Sequence, residues 1–73
     1  MRVVLEVDPE DLYRVVGIMR TYFKAKVEKI VGVDKCLAVF VLKSYILPAE
    51  IEEVLRILKI NGLLRNIVFI EVV

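Results

Sequence analysis

Two prolines divide this chain into halves that echo each other. Pro9 and Pro48 each stand at the head of a helical pattern, and laying one on the other keeps a constant offset. Leu12 then falls on Ile51, Val15 on Val54, Val16 on Leu55, Ile18 on Ile57 and Met19 on Leu58. A strand-like run precedes and follows each pattern. The chain therefore reads as two strand–helix–strand halves in succession, which leaves few topologies open.

The elements follow from local chemistry. Arg2 to Val7 alternates, with Val3, Leu5 and Val7 on one parity and Arg2 and Glu6 on the other, so it reads as a strand. Asp8-Pro9-Glu10-Asp11 is a helix start. The Asp8 carboxylate can cap free amides, proline suits the first helical position, and acidic residues favour the positive end of the helix dipole. A helix to about Lys24 gathers Leu12, Val15, Val16, Met19 and Phe23 into one apolar stripe. Ala25 to Val33 is a second, more charged strand, and Gly32 with Val33-Asp34-Lys35 makes a tight turn. Cys36 to Lys43, extending toward Ile46, is apolar on both parities, as a central strand is. Pro48 opens a second helix with Glu50, Glu52 and Glu53 in its first turns and Ile51, Val54, Leu55 and Leu58 as its buried stripe. Asn61-Gly62 ends it, and Ile67 to Val73 is the last strand.

The order βαββαβ predicts an α+β, ferredoxin-like sandwich: one domain over residues 1–73, with a four-stranded antiparallel sheet in the order 4-1-3-2. Right-handed crossovers place both helices on one face of that sheet.

Composition asks what holds so small a domain together. At 73 residues, a chain buries only about 60% of the surface its unfolded form exposes. Cys36 is the only cysteine and there is no histidine, so an internal disulfide is excluded and a structural zinc site has no ligand set. A very apolar core, self-association or both remain. The hydrophobic fraction of 59% exceeds the usual range. Eleven basic and ten acidic residues leave a net charge of +1, too little for a long-range field toward nucleic acid or an anionic membrane. Apolar runs are strand-length, not membrane-length, and the chain starts directly in a strand pattern, so a cytoplasmic location is expected. Glutamine is absent and asparagine scarce while charge is plentiful, a composition that fits a thermophile's protein.

Parity assigns the two faces of the sheet. Val3, Leu5 and Val7, then Cys36, Ala38, Phe40 and Leu42, then Val68, Ile70 and Val72 are expected to meet the helices. The opposite face collects Val4, Leu37, Val39, Val41, Ile67 and Phe69, with Arg2, Glu6, Lys26, Glu28, Lys43 and Glu71 as a charged rim and Ile30 outward on the second strand. An apolar centre inside a charged rim is the anatomy of an association site. Six such side chains expose on the order of 400 Å², near what monomers tolerate. A register shift of one residue exchanges the faces, yet both parities of the third strand are apolar, so the apolar surface remains.

Catalytic chemistry finds little to stand on. Nucleophilic catalysis needs a base beside the nucleophile, and the hydroxyls of Ser44 and Thr21 have no histidine to serve them. Cys36 reads as a small packing residue, and the glutamates of the second helix as dipole partners. No cofactor is implied. Gly17, mid-helix, costs roughly 1 kcal/mol against alanine. Arg20, Lys24, Lys26 and Lys29, with Tyr22 and Phe23 between them, form a locally basic edge suited to phosphates. Sheets of this layout that read RNA stack bases on exposed aromatics, however, and Leu37 and Val39 stand where those aromatics would be.

The layout resembles ACT-like regulatory domains. The likeness rests on a strand running into Asp8-Pro9, Leu12 at the helix start, and a strand after the helix over Ala25 to Val33. Glu10 stands where many such domains carry glycine. The resemblance implies dimerisation and a small-molecule effector, held at the turn Asp8, Pro9, Glu10 and Asp11 and the opposing Gly32. Three expectations follow: a non-enzymatic association module, homo-oligomeric or within a complex; a small-molecule sensor; and an RNA- or ribosome-associated protein.

Overall fold

The alternation of Arg2 to Val7 becomes β1 (Arg2–Val7); Asp8 stays extended, as the proline after it requires, and the chain leaves the strand where a 3-10 turn starts at Pro9. The computed structural model describes residues 1–32, 34–43 and 46–71, without the side chains of Pro48 and Phe69. The inward aim expected of Val72, the outward aim of Phe69 and the hydroxyl of Ser44 therefore lie outside the described residues. A 3-10 turn over Pro9–Asp11 leads into α1 (Leu12–Phe23). β2 (Lys26–Val31), β3 (Cys36–Val41), α2 (Pro48–Ile60) and β4 (Asn66–Glu71) follow.

The helices end as their residues dictate. Lys24 closes α1 in the left-handed region at φ 51°, its N–H reaching back to the Arg20 and Met19 carbonyls. Asn61 closes α2, donating from its side chain to the Ile57 carbonyl at 2.9 Å, and Gly62 supplies the positive φ that follows. One expectation changes at the first helix. Asp8 makes no side-chain cap; its backbone carbonyl accepts from Asp11 N–H, and its carboxylate turns instead to Arg65.

The molecule is α+β, with an antiparallel four-stranded sheet in the order β2-β3-β1-β4, which is 4-1-3-2 from the other edge. Val3, Leu5 and Val7 of β1 and Ala38 and Phe40 of β3 form one core cluster with Val15, Met19 and Phe23 of α1 and Ile51, Leu55 and Leu58 of α2. Both helices thus cover the same side of the sheet. Each such large side chain, fully buried, contributes about 1.5–3 kcal/mol. No polar side chain is buried among the described residues.

Two register shifts correct the parity reading. Val4 pairs with Phe69 but Leu5 pairs with Ile67, so Val68 is an extra residue on β4. Val27 pairs with Phe40 but Lys29 pairs with Val39, so Glu28 is an extra residue on β2. A β-bulge of this kind reverses the alternation beyond it. Ile67, expected on the open face, stands opposite Leu5 and packs against the core. Val68, expected inward, is 46% exposed. Ile30, expected outward, stands opposite buried Ala38 on the helix side, while Lys29 and Val31 take the open side. β1 and β3, without a shift between them, keep the faces that alternation predicts.

Candidate association face

The register arranges the uncovered face in three rows. The first holds Lys26, Val41, Arg2 and Glu71; the second, Lys29, Val39 and Val4; the third, Val31, Leu37, Glu6 and Asn66. The bulge residues Glu28 and Val68 lie against the same face, where they line a shallow depression with Val4, Leu37 and Val39. Val4 is buried at the centre, Val39 half-buried beside it, and Leu37, Val41, Val31 and Val68 exposed around them. Of the residues expected there, Val4, Leu37, Val39 and Val41 come together. Ile67 does not, and Val31 and Val68 join unforeseen because a bulge in a non-glycine sequence leaves no residue-level mark.

Charges ring this apolar centre in opposite-sign pairs. The Arg2 guanidinium lies 3.0 Å from the Glu28 carboxylate, and the Lys35 ammonium 3.9 Å from that of Glu6. Arg2, Glu28 and Lys35 are exposed and Glu6 is half-buried, so the pairs contribute little to stability and their consequence is the pattern of charge they present. Arg2, Glu28, Lys29 and Glu71 border the same depression as Val4, Leu37 and Val39. The arrangement offers dispersion and apolar burial, with polar contacts only at its margin.

The turn that the resemblance singles out is otherwise engaged. Asp8 accepts a hydrogen bond from Arg65 Nε at 2.5 Å, and that carboxylate holds the guanidinium above its ordinary range. Asp8, Glu10 and Asp11 bring carboxylate oxygens within 4.8 Å of one another, a grouping the sequence reading did not single out as metal donors. Gly32 sits at φ 109°, and its carbonyl accepts a weak contact from the Cys36 thiol at 3.9 Å. It lies at the same end of the sheet as this turn, since Val7 pairs with Cys36.

The basic edge divides. Lys26 and Lys29 point to the open face of β2, opposite Val41 and Val39. Arg20 instead borders a groove of about 560 Å³ between α1 and β2, walled by Leu12, Val16, Val27 and Ile30. Lys24 is exposed at the helix end. The four cations thus form no single strip. Gly17 opens that groove, since a methyl group there would touch nothing within 4 Å.

No protein-family model, no curated protein and no solved structure matches this chain. Among the described residues, no helix is long and apolar enough to cross a membrane.

Proposed function

We propose that this chain is a non-enzymatic association module that docks through the open face of its sheet. The layout of two helices on one side of a 4-1-3-2 antiparallel sheet is the ferredoxin-like one, a scaffold that by itself specifies no activity. The observation carrying the reading is the uncovered apolar set Val31, Leu37, Val39, Val41 and Val68 around Val4, bounded by charge. In a domain this small, burying that surface supplies stability the single core is short of.

The sheet edges favour the face over edge-to-edge pairing. β2 and β4 are the edge strands, and each carries a bulge; β2 adds Lys26 and Lys29. Bulges and lysines are the devices that keep an edge from extending a neighbour's sheet. The chemistry of the side chains supports a binding role rather than catalysis: no histidine is present, and the one thiol is buried.

Sedimentation of Val39→Lys against the parent chain tests this. The substitution places an ammonium at the centre of the face, where Val39 is half-buried and, among the described residues, not a member of the core cluster. The complex is expected to dissociate while the circular dichroism spectrum stays unchanged. Equal sedimentation of the two proteins, both alone and mixed with the proteins that copurify with the parent chain, would overturn the reading.

A further inference from the structure

Resting on that reading of the face, we infer that its partner is a second copy of this chain, docked about a two-fold axis that crosses the strands, so that Arg2 of each copy meets the partner's Glu6.

The inference starts from the rows of the face. Lys26, Val41, Arg2 and Glu71 form one end, Val31, Leu37, Glu6 and Asn66 the other, with Lys29, Val39 and Val4 between. Two copies stacked face to face have two simple two-fold arrangements. An axis along the strands lays each row over itself in reverse. Val41 then covers the partner's Arg2, and Leu37 covers the partner's Glu6, so four charges at the centre lose water against aliphatic groups, and opposite charges meet only at the outer strands, Lys26 on the partner's Glu71. An axis across the strands lays the first row over the third. Val41 then covers the partner's Leu37, Val39 and Val4 each cover their own counterparts, and Arg2 covers the partner's Glu6. The central apolar groups meet apolar groups and opposite charges meet twice by symmetry, while Lys26 covers the partner's Val31 only at the exposed outer strand. Lys29 facing the partner's Lys29 at the outer edge is the one like-charge contact, and Glu28 lies beside it in the bulge.

The existing pairs extend this pattern. Arg2 already reaches Glu28, and Glu6 lies near Lys35. Docking therefore builds an alternating line of Glu28, Arg2, the partner's Glu6 and the partner's Lys35. The twist between aligned sheets, about 30°, displaces the outer rows by only about 3 Å, less than one strand spacing. Four strands of six residues cover roughly 400 Å² in plan on each copy. With side-chain relief, the pair buries on the order of 1,000 Å² in total, the lower bound for a specific interface, so the dimer is concentration-dependent.

Arg2 and Glu6 lie four residues apart on one strand, roughly 13 Å, and cannot pair within a copy. Each also has a partner inside its own copy, Glu28 for Arg2 and Lys35 for Glu6, and the exchanges disturb these as well. Sedimentation equilibrium is run on the parent chain, Val39→Lys, Arg2→Glu, Glu6→Arg and the double exchange R2E/E6R, with circular dichroism confirming each fold. The parent is expected to dimerise, and each single exchange to weaken it about tenfold or more. The double exchange is expected to bind more tightly than either single exchange but short of the parent, because Glu28 and Lys35 then stand beside like charges within each copy. A dimer that Val39→Lys breaks but that the single exchanges leave unchanged, or that the double exchange weakens more than either single exchange does, would overturn this orientation and leave the docking face standing. A parent chain that stays monomeric would overturn the second copy as partner. If such a monomer also fails to bind any protein that Val39→Lys releases, the docking face falls with it.

Discussion

Leu5 stands directly opposite Ile67, although the residue before it, Val4, stands opposite Phe69. The skipped residue, Val68, therefore has no strand partner and emerges on the open face. This single displaced pairing decides which of two adjacent aliphatic residues belongs to the core and which to the surface.

It yields a contrast between neighbours. Ile67→Lys forces a charge against the core cluster and is expected to destabilise the fold by about 2–4 kcal/mol in denaturant titration. Val68→Lys is expected to cost under about 0.5 kcal/mol, because its side chain already meets water. The same Val68→Lys weakens association, since it adds charge to the docking face. Simple alternation predicts the reverse order, so equal or inverted losses would place the bulge elsewhere.

The legible parts of this fold are those that local chemistry controls. Pro9 and Pro48 announce the helix starts, Asn61-Gly62 announces a helix end, and strict alternation in Arg2 to Val7 assigns both faces of β1 correctly. β3, apolar on both parities, reads equally well because Lys35 and Lys43 flank it on the parity of Leu37 and Val41: Cys36, Ala38 and Phe40 are buried, while Leu37 and Val41 are exposed. The edge strands resist such reading. Their bulges fall at Glu28 and Val68, residues with no special backbone preference, and arise from how the sheet twists and ends. The pairing of Asp8 with Arg65 was also hidden, because 56 residues separate them in the chain and only the closing of β4 beside β1 brings them together. For the same reason, Asp8 looked like a helix cap: a carboxylate ahead of a helix serves either role, and the better donor takes it.

That pairing fastens the turn before α1 to the residue before β4. Its guanidinium is exposed, so solvent screens much of the attraction. A double-mutant cycle with Asp8→Ala and Arg65→Ala is expected to give a coupling of about 0.5–1 kcal/mol at low salt, falling toward zero at about 1 M salt. A coupling that ignores salt would show that the contact acts through packing.

The charge-rich, amide-poor composition leads to a second stability expectation. The thermal midpoint, measured by calorimetry at one fixed protein concentration, should lie above roughly 80 °C. A midpoint near 55 °C, in the range of mesophile domains, would remove the thermophile assignment while leaving the fold and the docking face untouched.

The three glycines give a graded series, because each meets a different physical limit. Gly32 sits at φ 109°, and a Cβ there would collide with the Lys35 carbonyl oxygen. Gly32→Ala therefore combines backbone strain with a clash against backbone that cannot move aside, and is expected to cost above about 2 kcal/mol. Gly62, at φ 75°, has open space around it, so Gly62→Ala pays the left-handed strain alone, about 1 kcal/mol. Gly17 lies inside α1 with ordinary helical geometry and nothing near its missing Cβ. Gly17→Ala is expected to stabilise the helix by up to about 1 kcal/mol, which in a domain of this size raises the midpoint by roughly 4–8 °C. The order Gly17, Gly62, Gly32, from gain to largest loss, is what chemical denaturation should return. A loss at Gly17 would mean that the groove it opens between α1 and β2 is filled in solution by something an added methyl group displaces.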